Sequence, residues 1–164
     1  MRGSLYTNAM CTPIFKQTAQ KEGLIMTSFE IATKFFEACE TPLGWEGCKH
    51  YVQEGASFSA QSEPIAEIDT VQGYCDWMHG FGTVTSPEGS YGLHTSSYDE
   101  NTNTAVFFAT YHGKHTGEGG PVPPTNKETH THYVYILKMG DDSKVSEMTK
   151  IWNAPWAMKE LGWM

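Results

Sequence analysis

The run His115-Thr116-Gly117-Glu118-Gly119-Gly120-Pro121-Val122-Pro123-Pro124-Thr125-Asn126-Lys127 divides the second half of the 164-residue chain. Its glycines and prolines exclude regular structure, because proline removes a backbone donor and glycine loses the most freedom on ordering. A loop over residues 116–128 is therefore expected, and loops of that length are more often functional than plain connections. On both sides of it the pattern has a period of two. Residues 91–98, 104–115, 130–139 and 144–153 read as strands, with turns at Asp99-Glu100-Asn101 and Gly140-Asp141-Asp142-Ser143. Connections that short join antiparallel neighbours. Before Pro87 the period is helical. Thr27-Ser28-Phe29-Glu30 is a capping box, followed by an apolar stripe at Ile31, Ala32, Phe35, Phe36 and Cys39 that stops at Thr41-Pro42. A short helical turn over 45–51 precedes the alternating Ala56-Ser57-Phe58-Ser59. A third helix, capped by Asp69 or Thr70, carries Val71, Tyr74, Cys75 and Met78 on one face. Helices first and an antiparallel sheet after define an α+β domain.

The loop resembles the H-T-G-x-x-x-G-x-P-P-T-G motif, followed by Arg or Lys, of the SnoaL-like polyketide cyclases. Lys144-Val145-Ser146-Glu147, then Asn153, then Glu160-Leu161-Gly162-Trp163 is similar to that family's closing pattern of K-I-x-E, Asp and Q-L-G. The likeness spans residues 27–163, in layout only across the first half. It implies the nuclear transport factor 2-like fold: a cone-shaped curved antiparallel sheet wrapped around N-terminal helices, a short C-terminal helix and one pocket. Residues 1–26 would then be an N-terminal extension and 27–164 the SnoaL-like domain. The implied activity is cofactor-free acid–base chemistry of the isomerase, cyclase or hydratase kind on a small apolar carbonyl or enol compound. A non-catalytic binding or association module with the same cone is the alternative. Asn126 replaces the loop glycine, Asn153 the later aspartate, and Tyr135 or Ile136 stands where the cyclases carry a sheet aspartate, so no carboxylate base carries across directly.

Eleven Lys and Arg against nineteen Asp and Glu leave a net charge of -8, without a basic run. A phosphate-binding surface for nucleic acid or a polybasic membrane patch is not expected. No apolar stretch reaches the ~20 residues of a membrane span, nor do the first residues form a secretory signal. A cytoplasmic protein is the expectation. Cys11, Cys39, Cys48 and Cys75 form no C-x-x-C pair and read as reduced, mostly buried thiols.

Four of seven histidines fall in His112-x-x-His115 and His130-x-His132, on strands expected to be neighbours. They fit a dimer-interface or surface cluster, acid–base work, or metal binding; without a recognised four-ligand spacing no metal is expected. His94, inside Tyr91-Gly92-Leu93-His94-Thr95, reads either as a polar group in an apolar pocket or as a hydrogen-bonded core histidine. Asp76 beside Trp77 reads as a base or as a solvated helix-face acid. The catalytic candidates are thus His94, His112, His115 and Asp76. Tyr51, Tyr74, Trp77, Tyr111 and Trp152 are candidate walls, core packing being the alternative for each. The resemblance adds Tyr133, Tyr135 and Asn153 to the ligand-binding set and sends His130 and His132 outward. A sheet apolar on both faces leaves one face without a helix, which points to a homodimer.

Overall fold

The computed structural model describes residues 26–164. The expected extension over 1–26 lies outside them, apart from Met26. Helix α1 (Ser28–Glu40) starts on the capping box: the Glu30 amide donates to Thr27 Oγ1 at 3.2 Å, and the Thr27 amide donates to Glu30 Oε2 at 2.7 Å. Thr27→Ala removes the cap and should cost about 1 kcal/mol of folding stability, read by urea denaturation. The stripe of α1 is buried at Ala32, Phe35, Phe36 and Cys39, and Phe36 stacks on Phe107 with ring centroids 4.7 Å apart. Helix α2 (Gly44–Cys48) and a 3-10 turn (Lys49–Tyr51) lead into strand β1 (Val52–Ala60). Gly55 has φ +73°, and the register of β1 shifts between Val52 and Ser57. That irregularity hides the first half of the strand from a period-two reading.

Helix α3 (Val71–Gly80), capped by Thr70, runs straight into a π-helical turn (Phe81–Thr85). Such widened turns occur often at functional sites. Strands β2 (Ser90–Asp99), β3 (Thr104–Lys114), β4 (Glu128–Met139) and β5 (Val145–Trp152) form an antiparallel meander, and β1 joins β5 in parallel, giving a mixed sheet in the order β1-β5-β4-β3-β2. Alternation decides what faces the helices. Phe107 and Ala109 on β3, Tyr133, Tyr135 and Leu137 on β4, and Met148 and Lys150 on β5 are buried. Helix α4 (Ala154–Leu161) ends the chain, capped by Gly162 at φ +73°.

The long loop is pinned at both ends. The His115 amide donates to Lys127 O and the Asn126 amide to His115 O, while Thr125 Oγ1 donates to Leu161 O at 2.7 Å. Asn126 sits at φ +57°, so its position needs a left-handed residue, and asparagine is among the few non-glycine residues that tolerate one. A Cβ on Gly117 would stand 1.7 Å from Val84 O, which fixes the loop against the π-helical turn.

Candidate functional site

Two neighbouring hollows flank the Trp77 and Phe81 rings, and the inner one lies against the sheet. The outer one, about 710 Å³, is lined by Trp77, Phe81, Val84 and Thr85 from α3 and its π-helical turn, by Gly119 and Pro121 from the loop, and by Met158 and Trp163 from the C-terminal segment. It is mostly apolar, with Glu63 and Asp76 at its polar margin. That volume suits a small organic molecule. Trp77 and Phe81, stacked at 5.3 Å and 3°, also line the inner hollow, so they form the partition between the two.

The inner hollow holds about 20 Å³, room for one oxygen-sized group, between Glu40, Met78, Tyr111, Tyr133, Lys150 and Trp152. Glu40 and Lys150 are 8% and 6% exposed. Two phenols connect them. Lys150 Nζ donates to Tyr74 Oη at 2.5 Å, and Tyr135 Oη donates to a Glu40 carboxylate oxygen. The 2.6 Å contact between the two phenols therefore has Tyr74 as its donor. Hydrogen bonds thus point one way from the ammonium to the carboxylate. The Lys150 ammonium also sits 4.9–5.5 Å from the ring centres of Tyr74, Tyr133, Tyr135 and Trp152, where aromatic faces attract a cation.

Burial raises the Glu40 carboxyl above its usual 4.5, with Lys150 opposing, and burial lowers the Lys150 ammonium below its usual 10.5, with Glu40 opposing. Both shifts favour the neutral pair, so a proton moved along the phenols interconverts the ion pair and the neutral pair without changing net charge. The Tyr133 hydroxyl is buried without a hydrogen-bond partner. Burial first, and then the Glu40 charge, push its pKa far up, so it remains an O–H donor.

The structure distributes the sequence candidates unevenly. Trp77, Tyr111, Tyr133 and Trp152 line the inner hollow, while Tyr74 and Tyr135 contribute their hydroxyls to the relay behind it. The Tyr111 hydroxyl lies against the backbone turn at Gly89, where a Cβ would meet it at 2.2 Å. Tyr51 ends a 3-10 turn at the margin of the core and lines neither hollow. Asn153 is spent as the N-cap of α4, accepting from the Trp156 amide. Asp76 reaches the outer margin and accepts from the Trp45 amide at 3.3 Å.

The histidines proposed for acid–base work stand elsewhere. His94 falls at a register shift in β2 and turns to the outer face, its Nε2 2.7 Å from Thr110 Oγ1. His112 and His130 pair across strands on that same face, Nδ1 to Nδ1 at 2.8 Å. His115 is wholly buried behind the loop, where its Nδ1 accepts from Trp163 Nε1 at 2.9 Å, and its Nε2 has no partner. None of the three lines the two hollows. Glu40 and Lys150, absent from the sequence candidates, are the charged groups at the centre.

No protein-family model matches the chain, and no curated protein matches it in sequence. Solved structures match its architecture. IdmH, a candidate polyketide cyclase from Streptomyces antibioticus, aligns with TM-score 0.67 at 12% identity over 84% of this chain and 99% of its own. A candidate SnoaL-like polyketide cyclase from Jannaschia sp. CCS1 aligns with TM-score 0.67 at 14% identity over 82% and 90%. AclR, a candidate hydroxylase from Streptomyces galilaeus, aligns with TM-score 0.65 at 17% identity over 82% and 83%. The chain has the SnoaL-like fold, in the nuclear transport factor 2-like, ketosteroid isomerase-like architecture. Identities this low establish the fold alone.

Proposed function

We propose that the protein is a cytoplasmic, cofactor-free enzyme that moves a proton on a small, largely apolar carbonyl or enol compound. The observation that supports this most is the buried relay from Lys150 through Tyr74 and Tyr135 to Glu40, set beneath an apolar hollow of ligand size. The ligand body occupies the outer hollow, and its carbonyl enters the inner one when the stacked Trp77 and Phe81 rings move apart. There Glu40 acts as the general base, its raised pKa placing it closer to the operating pH. Tyr133 and Lys150 donate to the developing enolate oxygen, a stabilisation available because neither group must be desolvated during the reaction.

The test is solvent deuterium incorporation, followed by NMR, into a panel of enolisable ketones and cyclic diketones. Exchange faster than the protein-free rate supports the enzyme. Binding of panel members without exchange favours the alternative, a binding module, and overturns the catalytic assignment.

A homodimer through the outer sheet face accompanies this proposal. Phe108, Val134 and Ile136 lie on that face, and Ile151 is 57% exposed. Light scattering at micromolar concentration should give twice the 18.3 kDa chain mass, and Ile151→Asp should return it to one. A native chain that scatters as a monomer would count against this interface.

A further inference from the structure

Cys39 lies at the end of α1, Cys48 closes α2 and Cys75 sits in α3, so three thiols from three helices converge at one point. Their Sγ atoms all lie within 4.8 Å of one another, and each residue is at most 1% exposed. Three sulfurs around one ion at a metal–sulfur distance of about 2.3 Å would stand about 3.8 Å apart in tetrahedral geometry and about 4.0 Å apart in trigonal geometry. The cluster therefore needs at most about 1 Å of closure to hold an ion, well within side-chain adjustment. Buried cysteines are often plain core fillers. Convergence is what distinguishes this set: among the described residues it is the one group of three or more His, Cys, Asp or Glu within such reach. The outer histidine pair supplies only two ligands.

We propose that Cys39, Cys48 and Cys75 bind one thiophilic divalent metal ion of the zinc class as a tri-thiolate that ties α1, α2 and α3 together. Soft thiolate ligands select such ions over magnesium or calcium. Three thiolates leave a net charge of -1 around a divalent ion and -2 around a monovalent one. Asp76 follows Cys75, and its negative charge acts on both Cys48 and Cys75. In a buried setting the smaller residual charge is favoured, which selects the divalent ion. Binding forms three metal–sulfur bonds and sends the thiol protons to solvent. Cys39 adjoins Glu40, and its sulfur lies 3.8 Å from Tyr135 Oη, so an ion there would abut the relay without belonging to it.

The experiment uses the full chain carrying Cys11→Ser, kept reduced and titrated with cadmium as a spectroscopic stand-in for zinc. Expected are a thiolate-to-metal charge-transfer band saturating at one ion per chain, a raised thermal midpoint, and zinc competing for the site. Cys48→Ala and Cys75→Ala should each abolish the band. Should an alanine variant fail to fold, calorimetry of the Cys11→Ser chain in two buffers of different ionisation heat decides: release of two or more protons per ion supports the site. A folded chain with no charge-transfer band, or with binding that releases no protons, overturns it.

Discussion

Glu40→Gln should slow deuterium exchange into an enolisable ligand by about 10²- to 10⁴-fold, the range a positioned general base contributes. Glutamine matches the shape of glutamate and can still accept from Tyr135, so the hollow and its partition stay in place while the base is lost. The pH profile provides a second readout. Burial raises the Glu40 carboxyl above 4.5, and the base form disappears as pH falls through that raised value. The native rate should therefore decline on the acid side at a higher pH than an exposed glutamate would give, and residual exchange in Glu40→Gln should lack that limb. An unchanged rate would show the base to be elsewhere. Asp76, the carboxylate beside Trp77 at the margin of the outer hollow, would then be the next group to test.

Both ends of the relay carried a local signal that was readable in principle. Glu40 lies four residues after Phe36 and eight after Ala32, in phase with the buried stripe of α1. Lys150 alternates with Met148 and Trp152 on β5, in the set that faces the helices. A charge in an apolar phase more often ends a helix or snorkels to solvent than stays inside. What makes these two buried is each other, and no periodicity pairs residues so far apart in the chain. The surroundings of the histidines were hidden for a related reason. Strand alternation places a side chain only where the register is regular, and β2 shifts register at His94. His115 is positioned by Trp163 and Thr125, contacts made after the chain has turned through a loop and a helix. The elements themselves were legible because caps, stripes and turns are local. The parallel pairing of β1 with β5 was not, since it depends on where a bulged strand docks.

Lys150→Met should be the most destabilising single change at the site, costing about 3–5 kcal/mol, because removal of one member of a buried pair strands the other charge. Two effects are mixed in that loss. The lysine stem packs among Tyr74, Tyr133, Tyr135 and Trp152, and its ammonium offsets the desolvation of Glu40. Methionine keeps much of the packing, so the charge should dominate, and pH separates the two. Without Lys150, burial lifts the Glu40 carboxyl further above 4.5. A raised folded-state pKa stabilises the protein fully below the unfolded value and loses that contribution as pH rises through the folded value. The deficit of Lys150→Met relative to the native chain should accordingly be small near pH 4.5 and grow toward neutrality, whereas lost packing would be independent of pH. The double variant Glu40→Gln with Lys150→Met buries no charge. It should recover most of the loss, to within about 1 kcal/mol of the native chain, as replaced buried pairs commonly do. Urea denaturation of the native chain, both single variants and the double, at pH 4.5 and 7.5, measures every corner of this cycle. A deficit constant with pH, or a double variant as unstable as the sum of the singles, would show that Glu40 and Lys150 do not act as a pair.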